Sequence, residues 1–174
     1  MTNFIGPGPH GAYFSECRKF RYSLWRRWDD NLSFWTCANV EPNADLCCFI
    51  GLNPSTADEK LDDPTIRRCI GFAKDWGFNG LVMLNIFAYR ATDPKDMKAF
   101  PAPEGPLNNL AICTVAGLVG RTVAAWGVHG VHRNRGLWVK PLLLEHHPVC
   151  LGLTKGGHPK HPLYLPKNSV PVRF

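Results

Sequence analysis

The stretch CFIGLNPSTAD, from Cys48 to Asp58, leaves an apolar run with an amide at Asn53, a proline at Pro54 and hydroxyls at Ser55 and Thr56. Three aspartates follow closely, Asp58, Asp62 and Asp63. Three other apolar runs end in the same manner. One ends at Asn85 and continues as FAYRATDP. One ends in Trp126-Gly127-Val128-His129, and one in Thr154-Lys155-Gly156-Gly157-His158-Pro159. Amides, hydroxyls, imidazoles and carboxylates are the groups that hold a polar ligand and move protons. If the four runs are strands of one sheet, these polar, glycine-rich exits converge on a shared crevice, with Asn53 as one wall.

The elements that must position these groups can be read from pattern. The runs LCCFIGLN (46–53), LVMLNIFA (81–88), RTVAAWG (121–127) and PVCLGLTK (148–155) are continuously apolar, which suits strands covered on both faces. Between the first two, Asp63 is a good N-cap and Pro64 suits the first helical position. Ile66, Cys69, Ile70, Ala73 and Trp76 then recur at helical spacing until Gly77. GPLNNLAICTVAGLVG predicts a second helix and GLWVKPLLLEHH a third, interrupted by Pro141. DMKAFPAPEGP (96–106) reads as a Pro-rich loop. Strand–helix–strand alternation predicts an α/β fold with a mainly parallel sheet of about four strands and helices on both faces, a three-layer α/β/α sandwich. Ahead of it, residues 1–16 read as an irregular Gly- and Pro-rich arm. FRYSLWRRW and LSFWTCANV read as a β-hairpin turning at Asp29-Asp30-Asn31.

Length and composition set the bounds. The 174 residues predict a single domain, 1–45 being arm and hairpin and 46–165 the core. With 45% hydrophobic and 20% charged residues, a packed core is expected and disorder is not. No apolar stretch approaches the roughly 20 residues of a membrane span. The first 30 residues lack a basic segment followed by an apolar one, so no secretory signal is expected. Seven cysteines, at 17, 37, 47, 48, 69, 113 and 150, form no CxxC pair. Reduced thiols in a cytoplasmic protein are expected, with neither metal nor cofactor.

The formal charge is +6. Arg18, Lys19, Arg21, Arg26 and Arg27 interleave with Tyr22, Trp25 and Trp28. His129, His132, Arg133 and Arg135 form a second set. These are either solvated faces over core aromatics or two arms of a phosphate-binding surface. Asp62-Asp63 reads first as a helix cap. Arg67 and Arg68, in the first turn after it, oppose the helix dipole, which favours a ligand-facing role. Arg90 either does the same or pairs with Asp93.

Taken in order, Gly51-Leu52-Asn53-Pro54, LVMLNIFAYRATDP, VAAWG and HPKHPLYL resemble the motifs of the uracil-DNA glycosylase superfamily, spanning about residues 46–165. The combination LNPSTAD, DDPTIRRC, FAYRATDP and HPLYL also resembles a bacterial and phage family defined only as a domain of unknown function. The resemblance implies a DNA base N-glycosylase, a hydrolase acting on a deaminated or modified pyrimidine in single- or double-stranded DNA.

On that resemblance Asn53 holds the attacking water, with Leu52, Pro54 and Ser55 beside it. Asn85 reads the edge of a flipped base, Trp126 ends a strand at the pocket, and His158 stabilises the departing base. Arg67, Arg68, Arg90, Lys160 and His161 fall to the nucleic acid. His161, Pro162 and Leu163 lie where the superfamily has its wedge, with one extra residue between His-Pro and Pro-Leu. No aromatic follows the first motif to stack on a base. Asn53 positions water but is no base at neutral pH, so Asp58, Asp62 or Asp63 is a candidate second group. Two other functions remain open: hydrolysis of free nucleotides in the same pocket, and nucleic-acid binding or base sensing without catalysis.

Overall fold

A computed structural model describes residues 4–28 and 43–174. Seven strands form one mixed sheet: β1 (His10–Phe14), β2 (Arg21–Arg27), β3 (Asn43–Gly51), β4 (Gly80–Asn85), β5 (Val119–Ala124), β6 (Val149–Cys150) and β7 (Val172–Arg173). Their order is β1-β2-β4-β3-β5-β6-β7. The four predicted apolar runs supply β4, β3, β5 and β6, which pair in parallel. Antiparallel pairs flank them, β1–β2 and β2–β4 at one end and β6–β7 at the other. The expected mainly parallel sheet is therefore mixed, because N- and C-terminal chain adds strands to both ends of a parallel centre.

Alternation along the central strands feeds two cores. Cys47, Phe49, Leu81, Met83 and Val123 pack with Ile66, Cys69, Phe72 and Ala73 of helix α1 (Pro64–Asp75). Cys48, Ile50, Val82, Leu84 and Ala124 pack with Ala111, Ile112 and Val115 of α3 (Asn108–Ala116) and Val139 and Leu143 of α4 (Arg135–Leu143). The strands are continuously apolar because both faces are covered. α4 runs through Pro141, which sits in its last turn.

Helix α1 starts where the Asp-Pro signal places it. Asp63 Oδ1 accepts from the Ile66 amide at 2.8 Å, and Pro64 fills the first position, where no N–H is needed. Asp63→Ala should lower the unfolding free energy by about 1 kcal/mol, whereas Asp63→Asn should keep most of it. Urea unfolding of the two variants measures this; equal losses would remove the cap from the account.

Three expectations change. Residues 10–14 of the expected irregular arm form β1. An N-terminal hairpin exists, but it joins β1 to β2, and both edges of β2 are occupied, by β1 and β4. The predicted second limb LSFWTCANV and its turn lie outside the described residues. Part of the Pro-rich loop is helix α2 (Pro94–Ala99), capped by Asp93 with Pro94 behind it, the same signal that starts α1. No helix among the described residues is long and apolar enough to cross a membrane. The six described cysteines are free.

Candidate functional site

The chain leaves β3 towards α1 on one face, and leaves β4 and β5 towards α3 and α4 on the other. Such a divergence opens a crevice at the carboxyl ends of the strands. A cleft of about 650 Å³ lies there, lined from all four parallel strands' exits by Leu52, Asn53, Asn85, Trp126, His129 and Thr154, among others. Of the residues singled out in the sequence, Leu52, Asn53, Ser55, Asn85, Trp126, Lys160 and His161 line it, as do Arg21, Asp63, His129 and Leu163. Pro54, Arg67, Arg68, Arg90 and His158 are not among the lining residues.

Asn53 is fixed by its own amide. Nδ2 donates to the carbonyls of Ala91 (2.7 Å) and Pro54 (3.0 Å), which leaves Oδ1 as the free polar atom. Asn85, 2% exposed, ends β4 in register with Gly51 of β3. A Cβ on Gly51 would lie 2.9 Å from Asn85 Oδ1 and 2.6 Å from Met83 Cε, so glycine is what lets the amide lie against the strand exit. The backbone carbonyl of Asn85 accepts from Asn108 Nδ2 at 3.0 Å. Its own Nδ2 is buried and has no partner in the protein. An unsatisfied buried donor is costly, and this one belongs to a residue that lines the cleft.

Of the two histidines of the His-Pro pairs, His161 lines the cleft and His158 does not. His158 sits in a tight turn: its N–H donates to Thr154 Oγ1 (3.1 Å) and its carbonyl accepts from the Thr154 amide (2.8 Å). The bridge Leu153–Pro159 closes that turn. The chain emerges from it with the Pro159 carbonyl bonded to the Gly127 amide (2.9 Å), which brings the second His-Pro pair, His161-Pro162, to the cleft. Gly127, at φ 70, makes the bend after β5 that meets this segment; its Cβ position is 3.5 Å from His161 Cβ. The Leu163 amide donates to His161 Nδ1 at 3.3 Å. A ring that accepts at Nδ1 is neutral and carries its proton on Nε2.

Burial also lowers the pKa of His161, and only the charge of Asp63 pulls the other way. Because the unfolded chain binds this proton more readily, the group's contribution to stability is whole above its ordinary value of 6.5 and is lost as pH falls through the folded value. A ring NMR titration should give a midpoint below 6.5; a midpoint at or above it would mean an imidazolium at the cleft.

Much of the expected phosphate-binding surface is spent inside the protein. Arg26 and Arg27 are buried, and Arg26 pairs with Asp62 at 2.8 Å. Arg135 is buried and donates to the Ile86 carbonyl (2.8 Å) and Asn109 Oδ1 (2.6 Å). Arg68 donates to the carbonyls of Pro162 and Leu165, so it ties α1 to the segment carrying His161. Arg133 bonds the Pro101 carbonyl at 2.8 Å and lies 3.7 Å from Glu104. Arg90 lies over the Phe14 ring and donates to the Arg18 carbonyl rather than to Asp93. Arg67 is exposed and donates to the Asp62 carbonyl.

Of the three candidate carboxylates only Asp63 lines the cleft. Asp58 is engaged by the Lys60 and Leu61 amides, which hold its pKa down. Two lining residues differ from their reading in the sequence, Arg21, which groups there with the basic N-terminal set, and Tyr164, which has no role there. Arg21 is a buried guanidinium from β2. Tyr164, 82% exposed beside His161, is an aromatic ring on the cleft.

Fold and site together define an α/β protein whose cleft opens at the carboxyl ends of parallel strands. Residues 21–163 match the family described as "Protein of unknown function (DUF1643)", and the chain belongs to that family. No curated protein and no solved structure matches it.

Proposed function

We propose that this chain hydrolyses the N-glycosidic bond of a deaminated or modified pyrimidine in DNA. The observation that carries the reading is the buried Asn85 amide, whose Nδ2 has no partner within the protein and which lies on a cleft at the parallel strands' exits. That is the group an extruded base would satisfy. In this reading the architecture is the uracil-DNA glycosylase-like α/β/α sandwich. Water adds across the bond, its hydroxyl going to the sugar carbon and its proton to the base. Asn53 orients the water through Oδ1. His161, in place of His158, donates from Nε2 to the base as negative charge develops there. Asp63 is the carboxylate available to the cationic sugar, and Tyr164 the ring available for stacking. Lys160, Arg67 and Arg90 serve the phosphates.

A second reading, hydrolysis of free nucleotides, draws support from the arginines spent on internal partners, which leave fewer for a DNA backbone. The experiment is an assay of free base from single and duplex strands bearing uracil, hydroxymethyluracil or a thymine mismatch, alongside the corresponding nucleotides. Release from strands supports the proposal. Release from nucleotides alone transfers it to the second reading, and strand binding without release favours a base-sensing protein.

A further inference from the structure

Arg21 has no part in the reaction just described, yet it is the most unusual group in the cleft. It is 2% exposed and lines the cavity together with Asn85 and Asp63. Its Nη1 donates to the Ala57 carbonyl at 2.8 Å, which anchors one side of the fork under the loop that follows β3. Its Nε is buried without a partner. None of the ion pairs among the described residues involves it. The one carboxylate lining the cleft with it, Asp63, caps α1 through Oδ1 and acts on Arg21 through its charge without a direct ion pair.

A buried cation with no direct ion pair is costly for a fold to hold, and a bound anion relieves it. Burial brings the pKa of Arg21 down to about 10; Asp63 and Asp58 oppose the shift, while Arg90 and Arg26 add to it. The guanidinium therefore keeps its charge at neutral pH. Asn85, which lines the same cleft, carries a second buried donor without an acceptor, Nδ2. Two unpartnered donors, one of them charged, on residues that line one cavity call for an acceptor-rich, negatively charged group. An oxyanion that presents two oxygens, a carboxylate or a phosphate, matches the guanidinium fork.

We propose that the cleft takes a ligand carrying an oxyanion, either a carboxylate on the base ring or the phosphate of its nucleotide, and that Arg21 is the residue that selects it. This rests on the proposed function only in taking the ligand to be a nucleobase or nucleotide, and requires no bond cleavage. Arg21 is then a specificity residue: a neutral pyrimidine leaves its charge unpaired.

Binding rather than base release tests it. Affinities of the full chain are measured for two matched pairs, orotate against uracil and dUMP against deoxyuridine. At least one anion should bind roughly 10- to 100-fold more tightly than its neutral counterpart, the scale of a hydrogen bond to a charged group. A preference within the first pair assigns a ring carboxylate, and within the second a phosphate. The preference should vanish in Arg21→Gln. Should that variant not fold, the Nε–H resonance of Arg21 in the wild-type protein, assigned with Arg21→Lys, should shift on adding the preferred anion. Equal affinities within both pairs, no binding of any probe, a preference that survives Arg21→Gln, or an unmoved Nε–H would each overturn the assignment. A protein that releases neutral bases while failing these tests would keep the glycosylase reading and lose this one.

Discussion

His161→Ala should slow base release about 100- to 1,000-fold in single turnover, the usual cost of losing one preorganised donor to a developing anion. The dissociation constant for the same oligonucleotide should change far less. The reason is the ring's state. Its Nδ1 is held as an acceptor by the Leu163 amide, and burial disfavours the charged form. The Nε2–H is then a fixed neutral donor whose partner gains charge only as the bond breaks, so its effect concentrates in the transition state. His158→Ala should leave the rate near that of wild type, because that side chain belongs to the 154–158 turn and is not among the residues lining the cleft. The reverse ranking of the two variants would return the role to His158.

Trp126→Ala should cost about 3–5 kcal/mol of stability, the range for removing a large buried aromatic side chain. The ring is 2% exposed and sits in a cradle made by two glycines. A Cβ on Gly130 would stand 2.2 Å from its Cδ1, and one on Gly136 2.9 Å from its Nε1. Phe174 meets it edge-on at 5.3 Å, so the ring also pins the C-terminus. No neighbour that close can relax into the vacated space without moving backbone. The exposed Trp138, on α4, is the control, and its alanine variant should stay within about 0.5 kcal/mol of wild type. Chemical unfolding of both variants decides; a loss under about 1 kcal/mol for Trp126→Ala would contradict the packing described here.

The parallel centre was legible because its signals are local. Four apolar runs and an Asp-Pro cap needed no knowledge of distant chain, and their polar exits led to Asn53 and Asn85. The same Asp-Pro signal at Asp93-Pro94 marks α2, but the prolines after it made the segment read as loop. What stayed hidden depends on long-range pairing. Arg21, Arg26 and Arg27 look like an exposed basic stripe until β2 takes its place between β1 and β4 and the loop after β3 covers it. Only an arginine inside an aromatic run hinted at this. The choice between His158 and His161 turns on a backbone bond between Pro159 and Gly127, which no spacing reports; the repeated His-Pro pair was the available sign. β7 is two residues long and carries no pattern at all.

Cleavage of an N-glycosidic bond in this cleft is decided by a mass balance with the wild-type chain in excess over a uracil-, hydroxymethyluracil- or mismatch-bearing oligonucleotide. Free base and abasic strand are quantified together. The two should appear in equal amounts, and both should fall together in Asn53→Ala and His161→Ala. Intact strands for every base, under conditions where the protein is folded and binds them, would contradict cleavage.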